Sequence, residues 1–465
     1  MDRQRQLEED AKELKRFGYA QQLLRDMGGF ANFAVSFTII SILTGAILLF
    51  GHGLNYGGPL VNTLGWPLVT LMTLTVAASM AEISSKIPTA GAMYHWASLL
   101  GGPGIGWLTA WVNFIGQMAT TAGIDYGIAL FVVDLMGWQG YVLHVYAAIL
   151  LSHGLINHYG IRAVAVCNDV SVWYHIALTL GIAAVLLFFM PRQPASFLLE
   201  RYNSSTYPYQ WAFLVGLLQA QWTLTGYDAS AHVTEETLDP RRNAPWGMFL
   251  AVAVSGVFGY ILLIALTLAV RSTPEAAGSP NPFIAVCGTK VTWAVLVAMW
   301  FCGLSSVTTN ARMAFAFARD GGMPLSRTWA AVSPRFRTPA NAVWLSVGLA
   351  FAIGLYSKAH TVIASISTIG LYVSYVIPIA LVLRERRAGR WTELGPWNLG
   401  KWGFAVNAVA VGWVAFISVL FVAPPNQLVG YTFAGLLVIL GLYYLGAVKG
   451  AFTGPVAVGP IKEPA

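Results

Sequence analysis

Two stretches of this sequence gather hydroxyls and glycine, and in one case an acid, inside long apolar runs. The first reads Ser36-Phe37-Thr38-Ile39-Ile40-Ser41-Ile42-Leu43-Thr44-Gly45-Ala46, and the second Trp222-Thr223-Leu224-Thr225-Gly226-Tyr227-Asp228-Ala229-Ser230. A helix crossing hydrocarbon must satisfy its own backbone, and unwound backbone is tolerated there only where it lines a protein cavity. Taken singly, Gly, Ser and Thr are ordinary packing residues of membrane helices. At corresponding positions of two halves of a chain, such interruptions point to a ligand site built from free amides and carbonyls. A helix N-terminus there favours a carboxylate, and the opposing carbonyls favour an ammonium.

Ionisable residues in apolar surroundings are the second class of candidates, because a charge at mid-membrane costs at least ~2.5 kcal/mol on insertion scales. Asp228 closes the second stretch, and His175 falls at the middle of another apolar run. Asp125, in the outer part of its run, reads more as a helix-to-helix hydrogen bond than as a ligand contact. Asp169 and Glu82 stand near run ends and are expected to pair with loop cations. Glu235 and Glu236, followed by Asp239, Arg241 and Arg242, suggest a salt-bridge cluster or gate. His52, His95, His144, His153, His158, His232 and His360 lie nearer loops or run ends, where interfacial or structural roles dominate. Cys167, Cys287 and Cys302 all sit in or beside apolar runs, which offers no disulfide framework. No metal-ligand spacing and no phosphate loop is found, so neither a metal nor a cofactor is expected.

The elements that must position these residues follow from composition. Of 465 residues, 56% are hydrophobic and only 10% charged, against about 25% charged in soluble domains. The apolar residues recur in runs of about 20, the length that crosses about 30 Å of hydrocarbon. The hydropathy pattern predicts an all-α polytopic membrane protein with twelve spans near 30–50, 67–84, 105–135, 140–156, 163–189, 210–234, 245–270, 291–317, 340–357, 360–383, 402–423 and 428–447. These form one domain over 30–447, with tails at 1–29 and 448–465. No short apolar core with a cleavage site marks a signal peptide at the N-terminus. At 1.5 Å per residue, Ser41, Trp222 to Gly226, His175 and Ser305–Ser306 share one mid-depth plane.

Charge fixes the expected orientation. All but five of the 27 Lys and Arg fall on the side of the N-terminal tail, the exceptions being Arg192, Arg201, Arg271, Lys290 and Lys358. The positive-inside rule then makes both termini cytoplasmic, in a plasma (inner) membrane. The net charge of +7 reads as topology signals and contact with anionic lipid, not as nucleic-acid binding. The stretch from Glu8 to Arg25, with Leu14, Phe17, Leu23 and Leu24, reads as an amphipathic helix on the membrane surface. A solvated tail competes with that reading for its first ten residues.

Several stretches, in order, resemble the amino acid–polyamine–organocation permeases, within them the amino acid/choline branch that includes GABA permeases. They are Leu14 to Tyr19, Ser36 to Ser41, Ala81-Glu82-Ile83-Ser84-Ser85-Lys86-Ile87-Pro88-Thr89-Ala90-Gly91-Ala92-Met93-Tyr94, Thr225 to His232 and on to Pro245, and Ala318-Arg319-Asp320-Gly321-Gly322-Met323-Pro324. The resemblance implies a five-plus-five inverted repeat of the LeuT type with two added helices, spans 1 and 6 discontinuous around the substrate, and alternating access. It maps a span 5 lysine of proton-dependent or sodium-independent relatives onto His175. The cation site of sodium-coupled relatives falls by Ser306 and Cys302. One departure stands out. Relatives that bind α-amino acids usually carry a glycine-rich triplet in span 1, where this chain has Thr44-Gly45-Ala46.

The expected function is proton-coupled import of an amino acid or a related amine such as GABA, by a protein that is not an enzyme. Its substrate would be held at Ser41, Thr44, Gly45, Ala46, Trp222, Leu224, Thr225, Gly226, Tyr227 and Asp228. His175 and Ser306 would serve coupling. Choline or polyamine uptake would use Asp228 with cation–π contact to Trp222 or Tyr227. An obligate amino-acid exchanger would have the same pocket, whereas a membrane enzyme or channel would need a catalytic constellation or continuous polar pore that the sequence lacks.

Overall fold

A computed structural model describes residues 3–356 and 360–455. Lys358, the last residue expected in span 9 and the tail beyond 455 lie outside the described residues. Ten helices among the described residues are long and apolar enough to cross a membrane. These are Gly29–Leu48, Val61–Lys86, Pro103–Met136, Gln139–Tyr159, Arg162–Phe188, Pro240–Ala269, Pro282–Arg319, His360–Arg387, Gly400–Leu420 and Gln427–Val448. Ala340–Leu355 is a shorter apolar helix, and the sixth expected segment is divided into Tyr209–Gly216, Leu218–Thr223 and Ala229–His232. Ten of the twelve expected segments thus coincide with helices of spanning length, the ninth with a shorter apolar helix and the sixth with a divided one. The span numbers used for the sequence carry over.

Spans 1–5 and 6–10 match one for one. Spans 1 and 6 are both interrupted; span 3 runs unbroken for 34 residues, and span 8 follows a break at Gly288, which has φ 75°. A short helix precedes each of them, Met93–Gly101 before span 3 and Thr273–Gly278 before span 8. Because five spans separate the members of each pair, the two short helices lie on opposite faces of the protein, and the repeat is inverted. Span 7 packs against spans 1 and 2, and spans 3, 4, 8 and 9 pack together; span 5 lies against 1, 7 and 8, and span 10 against 2, 3 and 11. Leu71, Val166, Phe188 and Tyr431 project apolar surface outward. In water such a surface would be costly, and in hydrocarbon it is the expected exterior.

The N-terminal segment departs from expectation. Its helix runs Arg3–Arg16 and ends at Gly18, which has φ 84°; residues 19–28 then cross the protein without helix. Leu14 and Leu23, expected to face lipid, are buried in the protein. The reason is that the protein supplies partners a membrane surface lacks. Met27 pairs with Thr237 as an isolated parallel bridge, and Asp26 and Met27 donate backbone N–H to the Glu236 carbonyl at 3.0 and 2.9 Å. Phe452, near the C-terminal end of the described chain, packs on Tyr94 and Phe317. Both ends of the described chain thus cover one face, called here the terminal face.

Candidate functional site

Span 1 breaks at a single residue. Ser41 has φ 30° and ψ 83°, a left-handed conformation that L residues rarely take, between helices Gly29–Ile40 and Ile42–Leu48. The hydroxyl compensates by binding Thr44 Oγ1 at 2.6 Å and His175 Nε2 at 2.8 Å. Span 6 unwinds over five residues, from Leu224 to Asp228, around Gly226 at φ 91°. Among the described residues the amides of Gly226, Tyr227 and Asp228 have no hydrogen-bond partner, while the Leu224 carbonyl accepts from Tyr372 Oη at 3.1 Å. The outer parts of the two spans touch at Gly45, where an added Cβ would fall 2.6 Å from Thr223 Cα. Sequence placed both breaks correctly.

Between them lies a cavity of about 10 Å³, lined by Ile39, Thr44, Gly45, Thr120, Trp222 and Thr225, with Cys302 at its edge. It is too small for an amino acid, so the protein is closed around its site. A larger cavity of about 580 Å³ opens above it, away from the terminal face, reaching Leu48, His52, Tyr56, Phe283 and His360. Trp222 and His360 meet edge to face at 5.2 Å between the two cavities. Trp222 Nε1 donates to Ser367 Oγ at 2.9 Å, and His360 Nε2 donates to the Gly123 carbonyl at 3.0 Å. His360 was expected to be interfacial or structural, and it takes a structural place here, between the two cavities. Of the ten expected substrate residues, Thr44, Gly45, Trp222 and Thr225 line the small cavity, whereas Ser41, Ala46, Leu224, Gly226, Tyr227 and Asp228 do not.

Asp228 does not cap the half-helix that follows it. Its carboxylate turns to span 3 and span 10, accepting from Gln117 Nε2 and Tyr375 Oη, each at 2.7 Å. Tyr227 packs against Tyr375 at 5.2 Å and is fully buried. Ser36 ties the lower halves of spans 1 and 6 together, donating to the Tyr227 carbonyl at 2.8 Å and accepting from Ser230 N at 2.9 Å.

His175 lies where expected, but Ser306 does not join it. The His175 ring places Nδ1 2.8 Å from the Ser171 carbonyl, which can only accept, so Nδ1 is the donor and Nε2 accepts from Ser41. Ser306 instead bonds Thr121 Oγ1 at 2.6 Å, in a cluster with Asn310. It faces span 3 because it is one residue away from Ser305, whose hydroxyl donates to Asn168 of span 5; neighbours on a helix point apart. Cys302 Sγ donates to the Ile39 carbonyl at 3.2 Å, beside the span 1 break.

The terminal face is closed by ion pairs that sequence assigned to the wrong cations. Glu236 holds Arg312 with two bonds of 3.0 Å, and Glu235 holds Arg319 at 2.9 and 3.0 Å. Arg241 is drawn away to the Ser85 carbonyl at 3.1 Å and to Glu13 at 3.7 Å, and Arg242 is exposed, without an ion pair among the described residues. The reason is geometric: Arg241 and Arg242 start span 7, pointing away from the end of span 6, while Arg312 and Arg319 stand two turns apart on span 8, facing it. Over these pairs lies the N-terminal segment. Tyr19 Oη donates to Asp320 at 2.9 Å, stacks on His95 at 5.1 Å and lies under the Arg319 guanidinium at 3.9 Å. Burial and Asp320 hold the Tyr19 hydroxyl well above its ordinary range. Arg25 donates to the Thr234 carbonyl at 3.1 Å and approaches Asp10 at 3.9 Å. Burial pushes the Arg25 guanidinium down and the Asp10 carboxyl up, against their mutual attraction.

The remaining acids divide. Asp125 pairs with His153 of span 4 at 3.1 Å, and Glu82 pairs with Arg386. Asp169 makes no ion pair among the described residues. No group of His, Cys, Asp and Glu among the described residues could hold a metal ion. Sequence reasoning missed Gln117, Tyr375, Arg312 and Arg319.

A family model described as amino acid permease matches residues 30–443. The amino-acid permease BAT1 of Arabidopsis thaliana is 36% identical and covers 96% of each chain. Its homolog from Oryza sativa subsp. japonica is 37% identical over 95% of each. Among solved structures, that of MhsT in complex with L-phenylalanine aligns with 86% of this chain and 99% of its own, with a TM-score of 0.60 and 14% identity. That likeness is one of fold.

Proposed function

The chain belongs to the amino acid permease family, and we propose that it imports a small amino acid of the GABA type, driven by protons, through alternating access. The observation that carries this reading is His175, whose Nε2 rests on the Ser41 hydroxyl at the turn that interrupts span 1. An imidazole there stands where a bound cation would otherwise hold spans 1, 5 and 8 together. The thiol of Cys302 on the Ile39 carbonyl argues in the same direction, since a hard cation such as sodium prefers oxygen ligands.

The substrate carboxylate is held by backbone at the span 1 break and the free span 6 amides, and its ammonium by carbonyls around Leu224. A choline or polyamine would need an anionic wall besides the aromatic one that Trp222 offers. Asp228 and Tyr227 both turn away from the cavity, which supports a zwitterion over either cation. The bias of Lys and Arg makes the terminal face cytoplasmic, in a plasma membrane. One charge crossing 100 mV releases ~2.3 kcal/mol, roughly a fortyfold concentration ratio, so one proton per solute drives uptake.

A radiolabelled uptake panel in proteoliposomes, with pH and sodium gradients imposed separately, tests the reading. Accumulation of GABA or another small amino acid under the pH gradient alone is expected. Accumulation that follows sodium and ignores pH refutes proton coupling, and uptake that requires internal substrate makes the protein an exchanger.

A further inference from the structure

His232 stands one helical turn after Asp228, and the two are 1% and 0% exposed. Its Nδ1 lies 2.9 Å from the Ala90 carbonyl, which can only accept, so Nδ1 carries a hydrogen. The other nitrogen, Nε2, faces Asp228 Oδ2 at 3.4 Å and has no hydrogen bond. In a neutral imidazole that nitrogen is a bare lone pair pointed at a carboxylate. Both carboxylate oxygens already accept, and both donors, Gln117 and Tyr375, are neutral.

Among the described residues no other cation compensates Asp228. From span 8, Arg312 and Arg319 face this region but belong to Glu236 and Glu235. Arg241 and Arg242, on the first turn of span 7, point elsewhere. On the helix after span 2, His95 is engaged by Tyr19 and Asp320. Span 10 contributes only Tyr372 and Tyr375, and span 1 the neutral Asn32 and Ser36. Asp125, two turns along span 3 from Gln117, has its own histidine. An ionised Asp228 beside a neutral His232 would therefore be a buried charge without a cationic partner, which is costly in a membrane span. One proton removes both faults. On Asp228 Oδ2 it donates to Nε2; on Nε2 it makes an imidazolium–carboxylate pair.

We propose that Asp228 and His232 jointly bind one proton, and that its release on the terminal face is coupled to the opening of that face. The inference rests on the proton-driven reading above and adds to it a second station, besides His175, for the one proton carried per solute. The pair gathers the lower half of span 6, span 3 through Gln117, span 10 through Tyr375 and the segment after span 2 through Ala90, all of which must part for that face to open. Losing the proton creates a charge that the closed protein cannot solvate. Opening admits water and relieves it.

The full-length protein in proteoliposomes tests this with the radiolabelled amino acid taken up fastest in the panel above, GABA on the present reading. A one-unit pH gradient supports up to about tenfold accumulation for one proton per solute. His232→Gln and Asp228→Asn are each expected to keep counterflow exchange, which shows that they fold and bind, while pH-driven accumulation falls to about onefold. If one variant lacks counterflow, the other decides. Wild-type accumulation in both variants overturns the site and leaves proton coupling intact. Wild-type protein that ignores pH overturns proton coupling itself, and loss of counterflow in both variants overturns a role confined to the proton.

Discussion

Replacing Glu236 by Gln should shift the protein toward a state open at the terminal face. In the closed structure Arg312 is 0% exposed and its guanidinium is held by both carboxylate oxygens. Removing one partner of a buried pair costs about 3–5 kcal/mol, because the other charge is left unpaired. Glutamine still accepts one hydrogen bond, so the lower end applies. In an open state Arg312 meets water and the substitution costs little. The closed state alone is penalised, and about 3 kcal/mol moves the closed-to-open ratio by roughly a hundredfold. Cys302 provides the assay, since its thiol is 1% exposed beside the span 1 break and is sealed from both sides. With Cys167 and Cys287 changed to Ser, alkylation of Cys302 by a thiol reagent added at the terminal face should accelerate by up to that factor in Glu236→Gln. Unchanged labelling in a folded Glu236→Gln protein would refute the reasoning, since the pair would then not hold the face shut.

His175→Ala should abolish acid-stimulated uptake while substrate binding partly survives, read as uptake against external pH alongside equilibrium binding. Asp228→Asn should leave amino acid affinity nearly unchanged, because the carboxylate does not line the cavity; a loss of about 1.5–3 kcal/mol, the worth of a hydrogen bond to a charged group, would put the substrate's ammonium on Asp228. Gly45→Ala would press a methyl against Thr223 Cα, which is backbone and yields little, so an overpacking cost of about 1–3 kcal/mol should slow initial uptake by roughly tenfold. Tyr19→Phe removes the donor to Asp320 and should release the N-terminal segment, seen as faster tryptic cleavage at Arg16 or Arg25 in reconstituted protein.

The breaks in spans 1 and 6 were legible because glycine and hydroxyls in apolar runs carry a physical penalty that only a cavity repays. Partners across the fold were not. Ser306 and Ser305 look alike in sequence, yet one faces span 3 and the other span 5, and which face a residue takes depends on helix rotation. Arg312 and Arg319 were in plain view as charges in and just beyond the end of an apolar run, and reading them only as orientation signals hid their role. Gln117 could have been found from the series Asn113, Gln117, Thr121 and Asp125, one polar residue per turn along span 3, each bonded to a different neighbour. The N-terminal helix was misjudged because its amphipathic pattern fits a protein surface as well as a membrane.

The two closures of the site are built from different chemistry, and this sets where the energy of gating lies. Toward the large cavity the seal is the edge contact of Trp222 and His360, with one neutral hydrogen bond each. Neutral bonds are worth about 0.5–1.5 kcal/mol net, so that seal can part without exposing a charge. Toward the terminal face stand two buried ion pairs, the Tyr19–Asp320–His95 cluster and a strap of chain from Tyr19 to Met27. Separating those groups without water is costly, and separating them with water returns most of the cost, so the terminal face should open nearly all at once. A proton held by Asp228 and His232 is placed at that boundary, where a single change of charge tips two states otherwise separated by many small contacts.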